Sequence, residues 1–357
     1  MTKDVLFAES PFSPLADERS ARCWSGRAQT RERLLSLKRA LTRLTDSTLD
    51  VLWASLGAGK THTLLYMAYL LQDEARERPQ TVPIFVEMPE QLRNFLDMYK
   101  RIASALPLDS VAEIVEACPK GKAMDSLARA STVIRYGGPV ERQLVADWFV
   151  GGRPSLKDLR QSSGISQRIE DDLAATDLLT GIVHAFGINR VRLVLLFDEF
   201  QRIGVLKPVT RDRILSSIRS IFSRNSSHFS MILSIQSKVE EHALKFIPPE
   251  LRTLLGKNPT IPLPEMDERE AKTFLIGRFQ CYRPRGFEGD PTAPFELSAV
   301  EAGLRYVHKQ AGIALNPREI LQAFAFVYAR AEDPSKGIAA EETLRLLQEA
   351  YASSPGT

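Results

Sequence analysis

Five short apolar runs mark the first 263 residues of the chain. They lie at residues 49–53, 82–86, 191–197, 229–235 and 260–263, and stretches with helical periodicity separate them. Continuous runs of this length, rich in valine, isoleucine, leucine and phenylalanine, are typical of strands that are buried on both faces of a sheet. We therefore predict an α/β fold with a mostly parallel, five-stranded sheet flanked by helices.

The pattern changes after residue 263, where signals for helix starts replace the apolar runs. A capping residue is followed by glutamate three positions later at Asp267, Ser298 and Asn316, and a further helix is predicted over about residues 340–350. These signals predict a small, all-helical C-terminal lid domain over residues 264–357. Before it we place an N-terminal segment with a basic helix (1–47) and an α/β core (48–263) with a helical insertion over about residues 90–190.

Length and composition exclude several classes of protein. The chain has 357 residues, of which 44% are hydrophobic and 25% charged, as expected of a globular chain with more than one structural unit. No apolar run approaches the roughly 20 residues of a membrane helix, and the first residues do not have the pattern of a signal peptide. We expect a cytoplasmic protein with no membrane contact.

The first strand is followed by a sequence that is typical of phosphate binding, Ala-Ser-Leu-Gly-Ala-Gly-Lys-Thr at residues 54–61. Glycines let the backbone wrap a phosphate chain with its N–H groups, and the helix N-terminus after them favours negative charge. Lys60 would reach the β- and γ-phosphates, and the Thr61 hydroxyl would bind Mg²⁺. The sequence therefore predicts a P-loop NTPase with ATP and Mg²⁺ as cofactors. The predicted binding residues of this loop are Gly57, Ala58, Gly59, Lys60, Thr61 and His62.

A second signal is the pair of carboxylates that follows the third strand, Asp198 and Glu199. Ligands of open α/β sheets bind at the carboxyl ends of strands. Asp198 can orient the metal through water, and Glu199 can polarise a water for attack on the γ-phosphate. The alternative is an acidic strand end that faces solvent.

Two weaker signals lie later in the chain. Ser234 and Gln236 end the fourth strand, where they could contact the γ-phosphate or the attacking water, or be ordinary polar loop residues. Arg318 lies in the first turn of a capped helix of the C-terminal domain. Its guanidinium could reach the phosphates and report the nucleotide state, or it could be a surface arginine.

Cysteine and histidine positions predict no further metal site. Cys23, Cys118 and Cys281 are widely separated and lack a C-x-x-C pattern, so we interpret them as packing residues and predict no disulfide. The five histidines show no ligand spacing. Thr61 and Asp198, both acting on nucleotide-bound Mg²⁺, are the predicted metal residues.

With these elements in this order, the chain resembles the AAA+ ATPases, in particular the branch that contains the origin-recognition and Cdc6 initiators and the regulators of Tn7-like transposons. The resemblance covers nearly the whole chain. It implies a Walker A motif at residues 57–61, a Walker B motif at Asp198 and Glu199, sensor 1 at Ser234 or Gln236, and sensor 2 at Arg318. It also implies that residues 11–14 and 25–27 lie near the adenine.

The same resemblance implies an arginine finger that completes the site of a neighbouring subunit, and hence a homo-oligomer. Arg252 best fits the place of this finger, with an ordinary helix-surface arginine as the alternative. Initiators usually continue into a winged-helix DNA reader, and we expect none in this sequence, in which about forty residues follow Arg318. The insertion around residues 147–165 is similar to ATP-binding proteins of BREX-type phage-defence islands.

Two local clusters of positive charge stand out against a net charge of only +3. Residues 19–43 hold eight lysines and arginines against one glutamate, and residues 201–224 hold six against one aspartate. Clusters of this size could neutralise several DNA phosphates, with a steep dependence on salt. They could equally be solvated helix faces or contacts to acidic neighbours.

From these signals we predict an ATPase that acts as a nucleotide-switched oligomer on DNA and recruits or regulates an effector protein, in transposition, replication initiation or phage defence. One alternative is a signalling NTPase of the STAND type, whose partners are proteins. Another is an ATP-binding subunit of a larger complex, with little hydrolysis of its own and no direct contact to DNA.

Overall fold

The computed structural model describes residues 6–72, 81–119, 121–310 and 312–352. Its centre is a five-stranded parallel sheet, as predicted, with the strand order β2-β3-β4-β1-β5. The strands are β1 Thr48–Ala54, β2 Thr81–Glu87, β3 Arg192–Asp198, β4 Phe229–Gln236 and β5 Leu255–Pro262. The register places Glu87 opposite Asp198 and Leu193 opposite Phe229. The ends of β1, β3 and β4, three neighbouring strands, therefore share one edge of the sheet.

The central strands match the apolar pattern that predicted them. All seven residues of β3 are buried, and so are the first seven residues of β4. Helices thus cover both faces of these strands, which explains why their runs are continuous and do not alternate.

The fifth strand begins five residues earlier than predicted, at Leu255 and not at residue 260. Its first half reads Leu-Gly-Lys-Asn-Pro and carries no apolar run. Because β5 lies at the edge of the sheet, it tolerates proline and polar residues that a central strand would exclude.

Helices surround the sheet and form the C-terminal region. They are α1 Glu18–Ala21, α2 Ala28–Arg43, α3 Lys60–Leu71, α4 Phe95–Ala105, α5 Leu108–Glu116, α6 Asp125–Tyr136, α7 Pro139–Phe149, α8 Leu156–Ser163, α9 Asp172–Ile188, α10 Pro208–Arg224, α11 Glu240–Leu244, α12 Pro249–Arg252, α13 Glu268–Tyr282, α14 Leu297–Arg305, α15 Pro317–Arg330 and α16 Ala340–Ala352. A 3₁₀ helix, Phe200–Val205, follows β3 directly, and α4 to α9 lie between β2 and β3.

Side-chain caps fix two of the predicted helix starts. Asp267 accepts a hydrogen bond from the Glu270 N–H at 2.7 Å, and Asn316 accepts one from the Glu319 N–H at 3.1 Å. The predicted cap at Ser298 is wrong, because α14 begins one residue before it, at Leu297. The Ser298 hydroxyl instead donates to the carboxylate of Glu296, the residue that precedes the helix.

The chain divides into two compact units. One comprises Met1–Leu34, Ala54–Tyr69 and Pro262–Thr357, and the other comprises Leu35–Trp53 and Leu70–Ile261. The apolar core of the first unit joins Phe12 to α13, α14, α15 and α16. The core of the second unit joins the sheet to the helices between β2 and β3.

A disulfide joins Cys23 to Cys281 within the first unit, with their Cα atoms 6.2 Å apart. The expectation that the cysteines form no disulfide is therefore wrong. These residues are 258 positions apart, and only tertiary contacts bring such a pair together, so their spacing gave no signal. Cys118 is a free, half-buried thiol. None of the helices in the described residues is long and apolar enough to cross a membrane.

Two buried ionisable residues, Asp50 and Arg192, lie in the sheet of the second unit. Burial raises the pKa of Asp50 on β1 to about 7, against the opposing effects of the Thr48 hydroxyl and the positive charge of Arg192. Arg192 on β3 is itself buried, and its guanidinium donates to the Ser230 hydroxyl at 2.7 Å and to the Leu44 carbonyl at 2.5 Å. These bonds compensate part of the cost of burying its charge.

Candidate nucleotide-binding site

The loop between β1 and α3 has the conformation that phosphate binding requires. Gly57 and Gly59 have φ angles of +76° and +91°, a left-handed region that glycine enters without strain. Lys60 begins α3 and is buried, with its Nζ donating to the Ser55 carbonyl at 3.3 Å. Thr63 closes the first turn through its N–H and its hydroxyl, both 2.9 Å from the Gly59 carbonyl.

The start of α15 lies directly against this loop. A Cβ atom added at Gly57 would come within 2.8 Å of Asn316 Oδ1 and 3.2 Å of Arg318 Cβ. The Arg318 N–H donates to the Gly57 carbonyl at 3.4 Å. The structure thus brings Arg318 to the predicted phosphate loop, and its exposed guanidinium makes no hydrogen bond or ion pair within the described part of the chain.

Arg27 contacts the loop from the N-terminal segment; the resemblance implies that residues 25–27 lie near the adenine, but Arg27 was not predicted to bind phosphate. Its side chain is 5% exposed, and its guanidinium donates to the Ala58 carbonyl at 2.5 Å. Two further nitrogens of the group, Nε and Nη2, are buried and have no hydrogen-bond partner among the residues described. Burial lowers the pKa of Arg27 to about 10, so it stays protonated at neutral pH. Buried, unpaired, cationic donors beside a phosphate loop fit a polyanion.

His62, in the first turn of α3, packs against the N-terminal segment. Its Nε2 lies 2.8 Å from the Ser20 carbonyl, and its ring centroid lies 5.9 Å from that of Trp24. Burial lowers the pKa of His62, so the ring is neutral at neutral pH, and its Nε2–H donates a hydrogen bond to the Ser20 carbonyl. Tyr66 extends this aromatic group, with its ring 4.8 Å from that of Trp24. The His62 side chain, predicted to bind cofactor, thus contacts Ser20 and Trp24 of the N-terminal segment. Its role in cofactor binding stays a prediction.

The structure joins two predicted site residues at the carboxyl edge of the sheet. Asp198 is the buried last residue of β3, and its Oδ1 accepts a hydrogen bond from the Ser234 hydroxyl at 2.7 Å. The same oxygen accepts the N–H of Glu199 at 3.0 Å. Both donors fix the orientation of the Asp198 carboxylate.

Glu199 is held by a residue that the sequence did not single out. Its φ angle of +57° is rare for a residue other than glycine, and strained backbone of this kind clusters at functional sites. Gln201 Nε2 donates to Glu199 Oε2 at 2.7 Å, and Gln201 Oε1 accepts the Gln236 N–H at 3.0 Å. Gln201 therefore links the acidic residue after β3 to the end of β4. The side chain of Gln236 is exposed. Gln236 contacts Gln201 through its backbone N–H.

Comparison with known proteins assigns the family. A family model described as the AAA domain matches residues 45–242, which is more than half of the chain. The chain belongs to this family. The predicted resemblance to the AAA+ ATPases is thereby confirmed.

Solved structures show the fold of this AAA+ protein over nearly its whole length. The ORC2 protein of Aeropyrum pernix, solved as ADPNP-ADP complexes, superposes with a TM-score of 0.57 at 15% identity, covering 99% of this chain and 73% of that one. Drosophila ORC bound to DNA gives a TM-score of 0.54 at 14% identity, over 99% and 68%. Cdc6p from Pyrobaculum aerophilum gives 0.52 at 14%, over 97% and 74%. No curated protein matches the chain significantly.

Arg252 of the AAA+ protein, the predicted arginine finger, is bound to its own unit. Its Nε donates to the Ile247 carbonyl at 3.0 Å, and its Nη2 donates to the Leu244 carbonyl at 3.1 Å. Among the contacts of the described residues, none joins Arg252 to Asp198 or Glu199. Its role in a neighbouring subunit remains a prediction.

The residues predicted to hold Mg²⁺ have the appropriate donor chemistry. The Thr61 hydroxyl and the Asp198 carboxylate are hard oxygen ligands, and Mg²⁺ in nucleotide sites takes one or two such ligands together with water and phosphate oxygens. Thr61 is half-buried in the first turn of α3, and Asp198 is oriented by Ser234. Each of the two residues by itself therefore supplies a donor oxygen of the kind that nucleotide-bound Mg²⁺ takes.

The two basic clusters of the AAA+ protein do not form uniform surfaces. In the first, Arg27 is committed to the loop, and Arg19 pairs with Glu9 at 2.6 Å. In the second, Arg224 pairs with Asp177 at 2.8 Å, and Arg202 donates to the Met88 carbonyl. The structure thus holds two arginines of each cluster in contacts within the protein.

Proposed function

We propose that this AAA+ protein binds ATP with Mg²⁺, hydrolyses it, and acts as a nucleotide-switched oligomer on DNA that recruits or regulates an effector protein. The observation that carries the proposal is the loop of residues 55–59. Two left-handed glycines shape it, Lys60 follows at a helix N-terminus, and the unpaired donors of Arg27 lie beside it. A loop of this form binds the phosphates of a nucleotide.

Each site residue then has a defined task. Backbone N–H groups of the loop, Lys60 and Arg27 bind phosphate oxygens, and Thr61 and Asp198 hold the metal. Bound Mg²⁺ supplies positive charge that neutralises the phosphates. Glu199 orients a water and accepts its proton, which requires its carboxylate to be fixed. The bond from Gln201 to Glu199 supports this task.

The contacts of the loop support a switch in the first unit. The N–H of Arg318 bonds to Gly57, and the guanidinium of Arg27 bonds to Ala58. Since both partners contact the loop directly, a nucleotide that reorders the loop changes these contacts. In the proposed switch, α15 and residues 17–27 thereby respond to occupancy of the loop.

Binding of ATP tests the proposal most directly. Titration calorimetry of the whole chain with ATP and Mg²⁺ is expected to show saturable heat, and Lys60→Ala is expected to abolish it. The exposed Arg153, in the loop before α8, serves as the control, since Arg153→Ala should leave the heat unchanged. Absence of heat with the unaltered protein would refute nucleotide binding.

Hydrolysis is tested separately by steady-state ATP turnover of the unaltered chain against Glu199→Gln. A measurable rate that falls at least about tenfold in the variant supports the assigned proton acceptor. Equal rates near zero would overturn hydrolysis and favour an ATP-binding subunit of a complex.

DNA binding is tested by filter retention with ATP at low and moderate salt. Arg39 and Arg43 are exposed on α2, and replacing both by alanine is expected to reduce the salt slope by about two if each contacts one phosphate. Arg153→Ala is again the control. Absence of retention at low salt would overturn the DNA part and favour the STAND-type alternative, in which the partners are proteins.

A further inference from the structure

A cleft of about 590 Å³ opens in the second unit, between the 3₁₀ helix Phe200–Val205, α10, and the segment of α11 and α12. This volume falls within the roughly 300–1,000 Å³ that is usual for ligand pockets. Apolar side chains form its floor, among them Ile203, Leu215 and Ile247, which are all buried. The cleft is thus a concave surface with an apolar base.

Close packing of Gly204 and Phe246 shapes one wall of the cleft. A Cβ atom at residue 204 would clash with Phe246 Cε1, so glycine at this position lets the phenylalanine ring lie where it does. Phe246 is half-buried and lines the cleft. The apolar wall therefore depends on a specific pair of residues.

Positive charge surrounds this apolar base. Arg211, Arg219, Lys245 and Arg252 line the cleft, against Asp212 as the lining carboxylate. Arg211 pairs with the carboxylate of Asp212, with 3.3 Å between Nε and Oδ1. Arg219 is exposed and makes no hydrogen bond or ion pair in the described portion of the protein. Lys245 pairs with Glu241 at 3.7 Å, so the remaining surplus of positive charge lies mainly on the arginines of the lining.

Exposed valines extend the apolar character beyond the cleft. Val205, at the end of the 3₁₀ helix, is 87% exposed, and Val209, in the first turn of α10, is 65% exposed. Surfaces that bind nucleic-acid phosphates are polar and strongly charged, whereas protein interfaces combine apolar contacts with arginine. The valines and the apolar floor therefore distinguish this surface from a phosphate-binding one.

We propose that this cleft docks an acidic segment of a partner protein whose carboxylates alternate with large apolar side chains. The carboxylates would pair with Arg211 and Arg219, and the apolar side chains would enter the floor and cover Val205 and Val209. The positive charge of the lining favours an acidic ligand. The apolar floor favours a ligand with apolar side chains, such as a peptide. The inference concerns a surface of the second unit alone and does not rest on the proposed ATPase activity.

The test is fluorescence anisotropy of the full chain with a labelled peptide of alternating aspartate and leucine, about ten residues long. Two matched peptides serve as controls. In one, every aspartate is replaced by asparagine, and in the other, every leucine is replaced by glycine. We expect only the aspartate–leucine peptide to bind well. Replacing both Arg211 and Arg219 by alanine should weaken its binding at least about tenfold.

Controls separate the cleft from general charge and from the nucleotide site. Arg213 is exposed on the same helix and does not line the cleft, so Arg213→Ala should change the dissociation constant by less than about twofold. Val205→Ser with Val209→Ser should weaken binding without disturbing the fold, because both side chains are exposed. Lys60→Ala should have no effect, whether or not the protein hydrolyses ATP.

Three results would overturn the proposal. The first is absence of peptide binding, and the second is equal binding of the aspartate–glycine peptide, which would show attraction by charge alone. The third concerns single-stranded DNA. The proposal would be overturned if such DNA bound more tightly than the peptide and displaced it, and if replacing Arg211 and Arg219 abolished that DNA binding. A change in oligomeric state on replacing Arg211 and Arg219 would assign the surface to a second copy of the chain and would overturn it equally.

Discussion

Gln201 joins the two strand ends that carry the acidic site, and its replacement by methionine tests whether this link matters for hydrolysis. Methionine keeps the length of the side chain and removes both hydrogen bonds. The lost bond to Glu199 is 2.7 Å long and runs from a neutral donor to a carboxylate, an interaction of about 1.5–3 kcal/mol. If the full amount stabilises the transition state, the turnover number falls roughly 10- to 150-fold.

The assay is steady-state ATP turnover with kcat and KM determined separately. Because the loop residues are unchanged in Gln201→Met, KM and the heat of ATP binding should stay within about twofold, so the loss appears in kcat. Gln143→Met, the same change at an exposed glutamine of α7, is the control. A kcat within twofold of the unaltered protein, with an intact fold by circular dichroism, would refute the positioning role.

Three further predictions concern the loop, a buried charge and the disulfide. Gly57→Ala forces a left-handed φ on alanine, at a cost of about 1–3 kcal/mol, and places Cβ 2.8 Å from Asn316 Oδ1. Calorimetry should therefore show ATP binding weakened at least tenfold. An unchanged affinity for ATP would contradict this prediction. The raised pKa of Asp50 means that the folded protein binds its proton more tightly, so stability should fall by about 4 kcal/mol between pH 4 and 7 and then level off. Asp50→Asn should flatten that slope in urea denaturation, and an unaltered slope would show that other groups cause it. Reducing the disulfide between Cys23 and Cys281 should lower the free energy of unfolding by about 5.6 kcal/mol on the chain-entropy model. An unchanged thermal midpoint would contradict this.

Sequence reasoning predicted the parts of the fold whose signal is local. Strand β3 carries seven consecutive buried residues, and the caps of α13 and α15 lie three residues from their partners, so short windows contain the whole pattern. Sequence reasoning failed where tertiary contacts determine the bounds of an element. An edge position lets β5 begin in a polar stretch, and Glu296 takes the place predicted for the cap at Ser298.

The candidate site shows the same division. The loop around Lys60 and the pair Asp198 and Glu199 at the end of β3 were predictable because each is a short motif at a strand end. The contact between Ser234 and Asp198 follows from neighbouring parallel strands, which place their ends side by side. Gln201 could not be recognised, because its role depends on an amide reaching Glu199 and the backbone of β4 at once. Catalytic roles for these residues stay predictions until turnover is measured.

The closeness of Arg27 and Arg318 to the loop bears on how fragments of this chain should be used. The family model spans residues 45–242, and both arginines lie outside it. A shortened protein cut to those limits would retain the loop motif and the acidic pair, yet lose the guanidinium on Ala58 and the amide on Gly57. Weak nucleotide affinity in such a truncation would measure the missing flanks and would say little about the intact molecule.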